Sequence, residues 1–254
     1  MVNYWQIILL GAVQGLTEFF PISSSGHLAI IQHFINFSAN NLLVDTFLHL
    51  GTVLSIIIVF WNDIKSIFTQ KKWHLIWIIV IACIPTAIIG FCLENIINTI
   101  SLQMIGIGFI ITSIILLISN KNIQQQQKNN KDLEDITIRD ATIIGTLQGI
   151  AVLPGISRSG TTLYASLSRN LKPQTAFKFT FLLAIPVILG ANILEIIKNF
   201  TLFKSLRVEL LLGLIISCLF GIISIKMLKY MFKESKLWYF SIYLIILGIF
   251  IIMI

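Results

Sequence analysis

Six stretches of the chain, near 42–61, 74–93, 102–119, 176–197, 208–228 and 237–254, are apolar over nearly the length of a membrane-crossing helix, which is roughly 20 residues. A hydrocarbon interior offers no partner to backbone N–H and C=O groups, so segments that cross it are helices or closed barrels. Runs such as IILLI and SIIIVF lack the alternation of barrel strands. The expectation is therefore an all-α polytopic membrane protein with six transmembrane helices. Composition agrees: 56% of residues are hydrophobic and 11% charged, far from the balance of soluble domains.

In a soluble chain the net charge of +7 would point to nucleic acid. Here the Lys and Arg residues fall mostly in short loops, where they orient membrane helices, and no nucleic-acid partner is expected. Lys65, Lys71 and Lys72 lie in 62–73, Lys121, Lys128, Lys131 and Arg139 in 120–140, and Lys229, Lys233 and Lys236 in 229–236. These three loops are assigned to the cytoplasm. Loop 94–101 has no Lys or Arg and falls outside; alternation also puts 198–207 outside despite Lys198, Lys204 and Arg207. Cys83, Cys92 and Cys218 have no CxxC spacing and read as packing or lipid-facing residues. The short apolar run 7–13 lacks a basic start and a small-residue cleavage site, so it does not read as a signal peptide.

One polar segment occurs twice, QGLTEFFPISSSGH at 14–27 and QGIAVLPGISRSGT at 148–161. Gln14 and Gln148, Gly15 and Gly149, Ile22 and Ile156, Ser23 and Ser157, Ser25 and Ser159, and Gly26 and Gly160 each stand 134 residues apart. A constant offset argues for duplication, with repeat 1 at 1–119, a Gln-, Asn- and Lys-rich cytoplasmic linker at 120–140 and repeat 2 at 141–254. Three spans follow each motif, so the second copy enters the membrane from the opposite side and the repeat is inverted. Pro21 with Gly26, and Pro154 with Gly155 and Gly160, break helices inside apolar context. Two re-entrant helical hairpins meeting across a wet pocket are expected, because non-helical backbone at membrane depth needs protein or water around it.

Ionisable groups inside a membrane domain are costly and mark function; Glu18 and Arg158 are the clearest. A structural ion pair between the hairpins is the plainer reading, but it leaves the surrounding hydroxyls and imidazole unexplained. The second motif suits an anion: Gly-containing turns and helix N-termini attract phosphate, Ser157, Ser159 and Thr161 add hydroxyls, and the Arg158 fork matches phosphate oxygens. The first suits reaction. His27 exchanges protons near neutral pH, Glu18 orients it or holds a cation, and a serine of 23–25 attacks phosphorus. His33, His49 and His74, and the cavity candidates Asp45 and Thr52, rank behind the motif residues.

These motifs resemble those of the undecaprenyl-diphosphate phosphatase family, the bacitracin-resistance phosphatases, recognised by (E/Q)GxTEFxPxSSxGH and PGxSRSG; here they read QGLTEFFPISSSGH and PGISRSG. The resemblance covers essentially the whole chain. It implies removal of the terminal phosphate of C55 isoprenyl diphosphate to regenerate the monophosphate carrier for peptidoglycan, with a divalent cation, Mg²⁺ or Ca²⁺, as cofactor. It also implies a bacterial cytoplasmic membrane with the site opening outward; a homodimer is left open. By position Glu18, Ser24, His27 and Arg158 are the implied catalytic residues, with Glu18 on the metal. Gln14, Thr17, Ser23, Ser25, Gly26, Ser157, Ser159, Gly160 and Thr161 are the implied substrate-binding set. Some members carry Glu where this chain has Gln14, so Glu18 alone must supply the carboxylate. Where the copies differ, Glu18 faces Val152, Ser24 faces Arg158 and His27 faces Thr161: one hairpin reacts and the other grips. An inverted-repeat transporter or flippase for an anionic lipid or small anion shares this architecture; the Ser, His and Glu opposite Arg favour the phosphatase.

Overall fold

The computed structural model describes residues 3–37, 41–97, 99–124, 131–198 and 208–254. Among them the secondary structure is helical, apart from one isolated bridge between Lys131 and Leu171. Helices α1 (Tyr4–Phe19) and α2 (Ser24–Phe34) flank the first motif's turn, and α7 (Ile138–Ile150) and α8 (Arg158–Ser168) flank the second. Between the motifs run α3 (Asn41–Val59), α4 (Trp61–Thr69), α5 (Trp73–Ile97) and α6 (Leu102–Gln124). After the second come α9 (Pro173–Lys198), α10 (Val208–Lys233) and α11 (Trp238–Met253).

Four of the described helices, α5, α6, α9 and α10, are long and apolar enough to cross a membrane. The α3–α4 pair makes a fifth if counted as one span bent by 67°. Helix α11 is apolar but has only 16 residues. The stretch expected at 42–61 thus turns a corner at Phe60, because Asn62, Asp63 and Lys65 give α4 a polar side while Ile67 packs inward. The expected linker 120–140 also shrinks, with α6 continuing to Gln124 and α7 starting at Ile138. Thr137 caps α7 in a box with Asp140, so the helix has a local reason to begin there. Lys128, Lys204 and Arg207 lie outside the described residues. Phe91 is 74% exposed and Trp77 66%, as suits side chains solvated by lipid.

Both motif-bearing pairs are antiparallel hairpins. Gln6 Nε2 donates to the Ile35 carbonyl at 3.5 Å across the open end of the first. Arg169 Nε donates to Asp140 Oδ1 at 2.8 Å across the second. Each hairpin leans on a helix from the other half of the chain, and glycines make the approach possible. Gly11 meets Gly213, and Gly15 meets Ser217 and Gly221, on α10; Gly145 meets Ala82, and Gly149 meets Thr86 and Ile89, on α5. Rising numbers on both sides show that α1 runs parallel to α10, and α7 to α5. Helices α6 and α11 run antiparallel: Ser113 Oγ donates to the Ser241 carbonyl at 3.0 Å, Ser241 Oγ returns the bond at 3.1 Å, and Gly106 faces Gly248. Such contacts let backbones pack closely where lipid supplies no hydrophobic drive between helices.

The Lys-rich segments gather at one end. Lys72 pairs with Glu134, Lys178 with Asp63, and the Leu237 N–H donates to Asn120 Oδ1. At another place Lys198 pairs with Glu94 at 2.5 Å, so one of the three cations of 198–207 has a counter-charge.

Candidate active site

The turns of the two hairpins touch. The Gly155 N–H donates to Ser23 Oγ at 3.1 Å, and Pro21 packs under Gly160. Both turns carry left-handed backbone, at Ser23 (φ 67°) and Gly155 (φ 92°). For Gly155 no other residue fits, since a Cβ would stand 2.4 Å from the Ile105 carbonyl oxygen. Helix α6 pins the second turn: Thr112 Oγ1 donates to the Gly155 carbonyl at 2.9 Å and accepts from the Ser157 N–H at 3.0 Å.

Glu18, at the end of α1, is 6% exposed and collects partners from its own helix and three others. The Arg158 guanidinium donates to Oε1 through Nη2. Ser24 Oγ donates to Oε2 at 2.5 Å, Gln14 Nε2 donates to the same oxygen at 2.9 Å, and His49 Nε2 stands 3.7 Å from it. Arg158 opens α8, with Ser157 capping that helix by accepting from the Gly160 N–H. His49 is aimed by its own helix, its Nδ1–H donating to the Asp45 carbonyl at 2.7 Å, which leaves Nε2 as the ring atom facing Glu18.

These groups border a cavity of about 240 Å³. Polar side chains of Glu18, Ser23, Ser24, Ser25, His49, Ser157, Arg158 and Asn192 line it together with apolar ones of Ala151, Val152, Ile156, Val187, Ile188 and Ala191. On the far side of the ion pair the space narrows to small voids bordered by Ser159, Thr162 and Ala184. There Phe19, Phe60, Phe177 and Phe181 pack ring against ring.

The structure brings Glu18, Ser24 and Arg158 together as the motifs imply, with Ser23, Ser25 and Ser157 beside them. It does not bring His27 to them. The His27 Nδ1–H donates to the Ser23 carbonyl at 2.8 Å, and Nε2 accepts from the Tyr243 hydroxyl at 2.8 Å, with Phe109 against the ring. His27 therefore braces the strained turn from behind. Other members of the implied binding set also pack rather than line the cavity. Thr17 donates to the Val13 carbonyl, Gly26 leaves room for Phe109, Gly160 meets Pro21, and Thr161 is buried. Ser159 shares a hydroxyl contact with Ser157 but borders the voids behind the pair. Gln14 reaches the site only through Glu18; its counterpart Gln148 bridges Thr86 and Thr162. Asp45 accepts from Gln32, and Thr52 donates to the His49 carbonyl.

Two polar cavity residues lie outside the motifs, His49 and Asn192. Neither belongs to the repeated segment, so a search by offset passes over both. The available signal was a polar side chain within an apolar span, which marks function by its cost.

Fold and site together define a multi-pass helical membrane protein whose buried Glu18 carboxylate is surrounded by a guanidinium, an imidazole and serine hydroxyls. The chain belongs to the family described as bacitracin resistance protein BacA, whose model matches residues 7–250. It is 37% identical to an undecaprenyl-diphosphatase of Halothermothrix orenii over 99% of this chain and 98% of that one. It is 40% identical to one of Treponema denticola, covering 98% and 96% of the two chains. For one of Thermosipho africanus the identity is 42%, over 95% and 96%.

Proposed function

We propose that this protein is an isoprenyl-diphosphate phosphatase that hydrolyses the terminal phosphate of undecaprenyl diphosphate and returns the monophosphate carrier to peptidoglycan synthesis. The observation that carries the reading is the hydrogen bond from Ser24 Oγ to Glu18 Oε2, 2.5 Å, beside a guanidinium at a cavity lined in part by apolar side chains. A hydroxyl held on a carboxylate is a nucleophile with its base in place. Arg158 supplies the cation that phosphoryl transfer needs.

In the free protein Arg158 is occupied by Glu18. An arriving diphosphate competes for the guanidinium, and Glu18, relieved of that partner, becomes a better base. Ser24 Oγ then bonds to the terminal phosphorus as the bridging P–O bond breaks, and its proton passes to Glu18 Oε2. The lipid monophosphate leaves. Water next attacks the phosphoserine, the P–Oγ bond breaks, Glu18 returns its proton to Oγ, and inorganic phosphate departs. The isoprenyl chain lies along the apolar side chains of Val152, Ile156 and Val187.

The donors suit a divalent cation that comes with the phosphates better than one caged by protein. Among the described residues no three His, Cys, Asp or Glu side chains converge as a metal cluster, but a Mg²⁺-type ion needs only one or two protein groups beside phosphate oxygens and water. Glu18 and His49 Nε2 would hold it, and when bound it would neutralise charge on the phosphates.

The molecule reads best as six spans with two re-entrant hairpins in an inverted repeat, 1–119 and 141–254. The antiparallel α6–α11 pair and the crossed packing of α1 on α10 and α7 on α5 support it. The Lys-rich end faces the cytoplasm of a bacterial inner membrane and the cavity opens outward. The test is phosphate release by purified protein from farnesyl or undecaprenyl diphosphate. The residue assignment fails if Glu18→Ala and Arg158→Ala release phosphate at the wild-type rate. Movement of substrate across liposomes without phosphate release would instead establish a transporter.

A further inference from the structure

Among the described residues three buried side-chain atoms have no hydrogen-bond partner: Gln14 Oε1, Thr161 Oγ1 and Asn192 Nδ2. Of these residues Asn192 is the one that borders the cavity of Glu18, Ser24 and Arg158. It is 7% exposed. Its companions on that face of α9, Val187, Ile188 and Ala191, have no side-chain acceptor to offer. An amide donor taken out of water and left unpaired costs free energy. That cost is recovered when an acceptor enters the cavity, and a cavity built around Arg158 attracts an anion.

Position along α9 says which part of the anion Asn192 meets. Ala184 is level with the Glu18–Arg158 pair, bordering the same small void. Asn192 lies eight residues further on, about 12 Å along a helix rising 1.5 Å per residue, toward the end marked by the Lys198–Glu94 pair. A diphosphate with its terminal phosphorus at Ser24 directs its other phosphate along this wall. We propose that Asn192 Nδ2 donates a hydrogen bond to the lipid-linked phosphate, the one that stays on the product, and so separates the grip on the leaving monophosphate from the grip on the phosphate transferred.

This rests on the phosphatase reading. The experiment compares wild type with Asn192→Leu and with Asn192→Asp, which has similar size and no donor. Inhibition by farnesyl monophosphate and by inorganic phosphate is measured during farnesyl diphosphate hydrolysis, and farnesyl monophosphate binding is titrated separately without turnover. A lost bond to a charged group is worth about tenfold or more. Both variants should therefore bind farnesyl monophosphate at least about tenfold more weakly and show a raised KM with kcat nearly kept. Inorganic phosphate should inhibit them as it does wild type. Asn192→Leu should melt no lower than wild type, since no internal bond is lost. Unchanged farnesyl monophosphate binding in both variants overturns the proposal, as does equal weakening toward inorganic phosphate or a lowered melting temperature with uniform loss of activity. Wild type that binds farnesyl monophosphate yet releases no phosphate from the diphosphate would remove the phosphatase reading and leave the Asn192 contact to be judged by the titration alone.

Discussion

At Glu18 four side chains converge on two oxygens, so the same carboxylate anchors the hairpins and prepares the nucleophile. Glu18 is buried and Arg158 is partly so, and removing one partner leaves a charge without compensation, at a cost approaching about 3 kcal/mol. Glu18→Gln and Arg158→Gln should each lower the melting temperature, while the double variant recovers most of the loss, because two neutral amides replace two charges. All three should lose phosphate release by about 100-fold or more, so heat scans and activity assays on the same preparations separate the two duties of the pair. His27 gives a contrasting case. A general base there would be worth about 10²–10⁴ in rate. A brace between the Ser23 carbonyl and the Tyr243 hydroxyl is worth less. Tyr243→Phe and His27→Asn are expected to slow hydrolysis by about tenfold or less and to leave the shape of the pH–rate profile unchanged; a lost limb in that profile would restore the acid–base role. Composition and spacing place His27 in the motif, but ring direction follows from α6 and α11, whose packing no local pattern encodes.

The hairpins were legible as elements because Pro21, Pro154 and Gly155 interrupt helices inside otherwise apolar sequence. What they lean on was not legible, since close helix contact depends on which glycine meets which backbone. A Cβ at Gly145 would stand 2.0 Å from the Ala82 carbonyl oxygen, and one at Gly51 would stand 2.0 Å from Ser217 Oγ. A Cβ at Gly190 would meet nothing within 4 Å. Gly145→Ala must push α7 off α5, and overpacking of this kind costs about 1–3 kcal/mol. Gly190→Ala, in the interior of α9, should instead gain about 0.5–1 kcal/mol from the stiffer unfolded chain. Thermal unfolding in one detergent measures both; a lower melting temperature for Gly190→Ala would mean that α9 is packed differently.

For the molecule as a whole, the 134-residue offset pairs positions of the two hairpins, and where the paired residues differ they show how the two ends differ. Gln6 and Asp140 are equivalent by that offset, as are Ile35 and Arg169. Both pairs close a hairpin, but one by an amide on a carbonyl and the other by a fully buried carboxylate between two cations. Asp140 accepts from Lys131 Nζ at 2.7 Å and Arg169 Nε at 2.8 Å, and so ties the segment before α7 to the α8–α9 turn. That turn is also clamped by the bonds from the Lys131 N–H to the Asn170 carbonyl and from the Lys172 N–H to the Lys131 carbonyl. Burial pushes the Asp140 carboxyl up, but the bonds from Lys131, Arg169 and Thr137 outweigh it and hold the group well below the ordinary carboxylate range. A group whose pKa is depressed on folding stabilises the protein fully above its unfolded value, about 3.9. That contribution is lost as pH falls from there toward the folded value. Melting temperatures of wild type and Asp140→Asn, scanned from neutral pH downward, should therefore differ most near pH 7 and converge below about pH 4. A constant gap across that range would mean that the Asp140 charge is not what fastens the second hairpin.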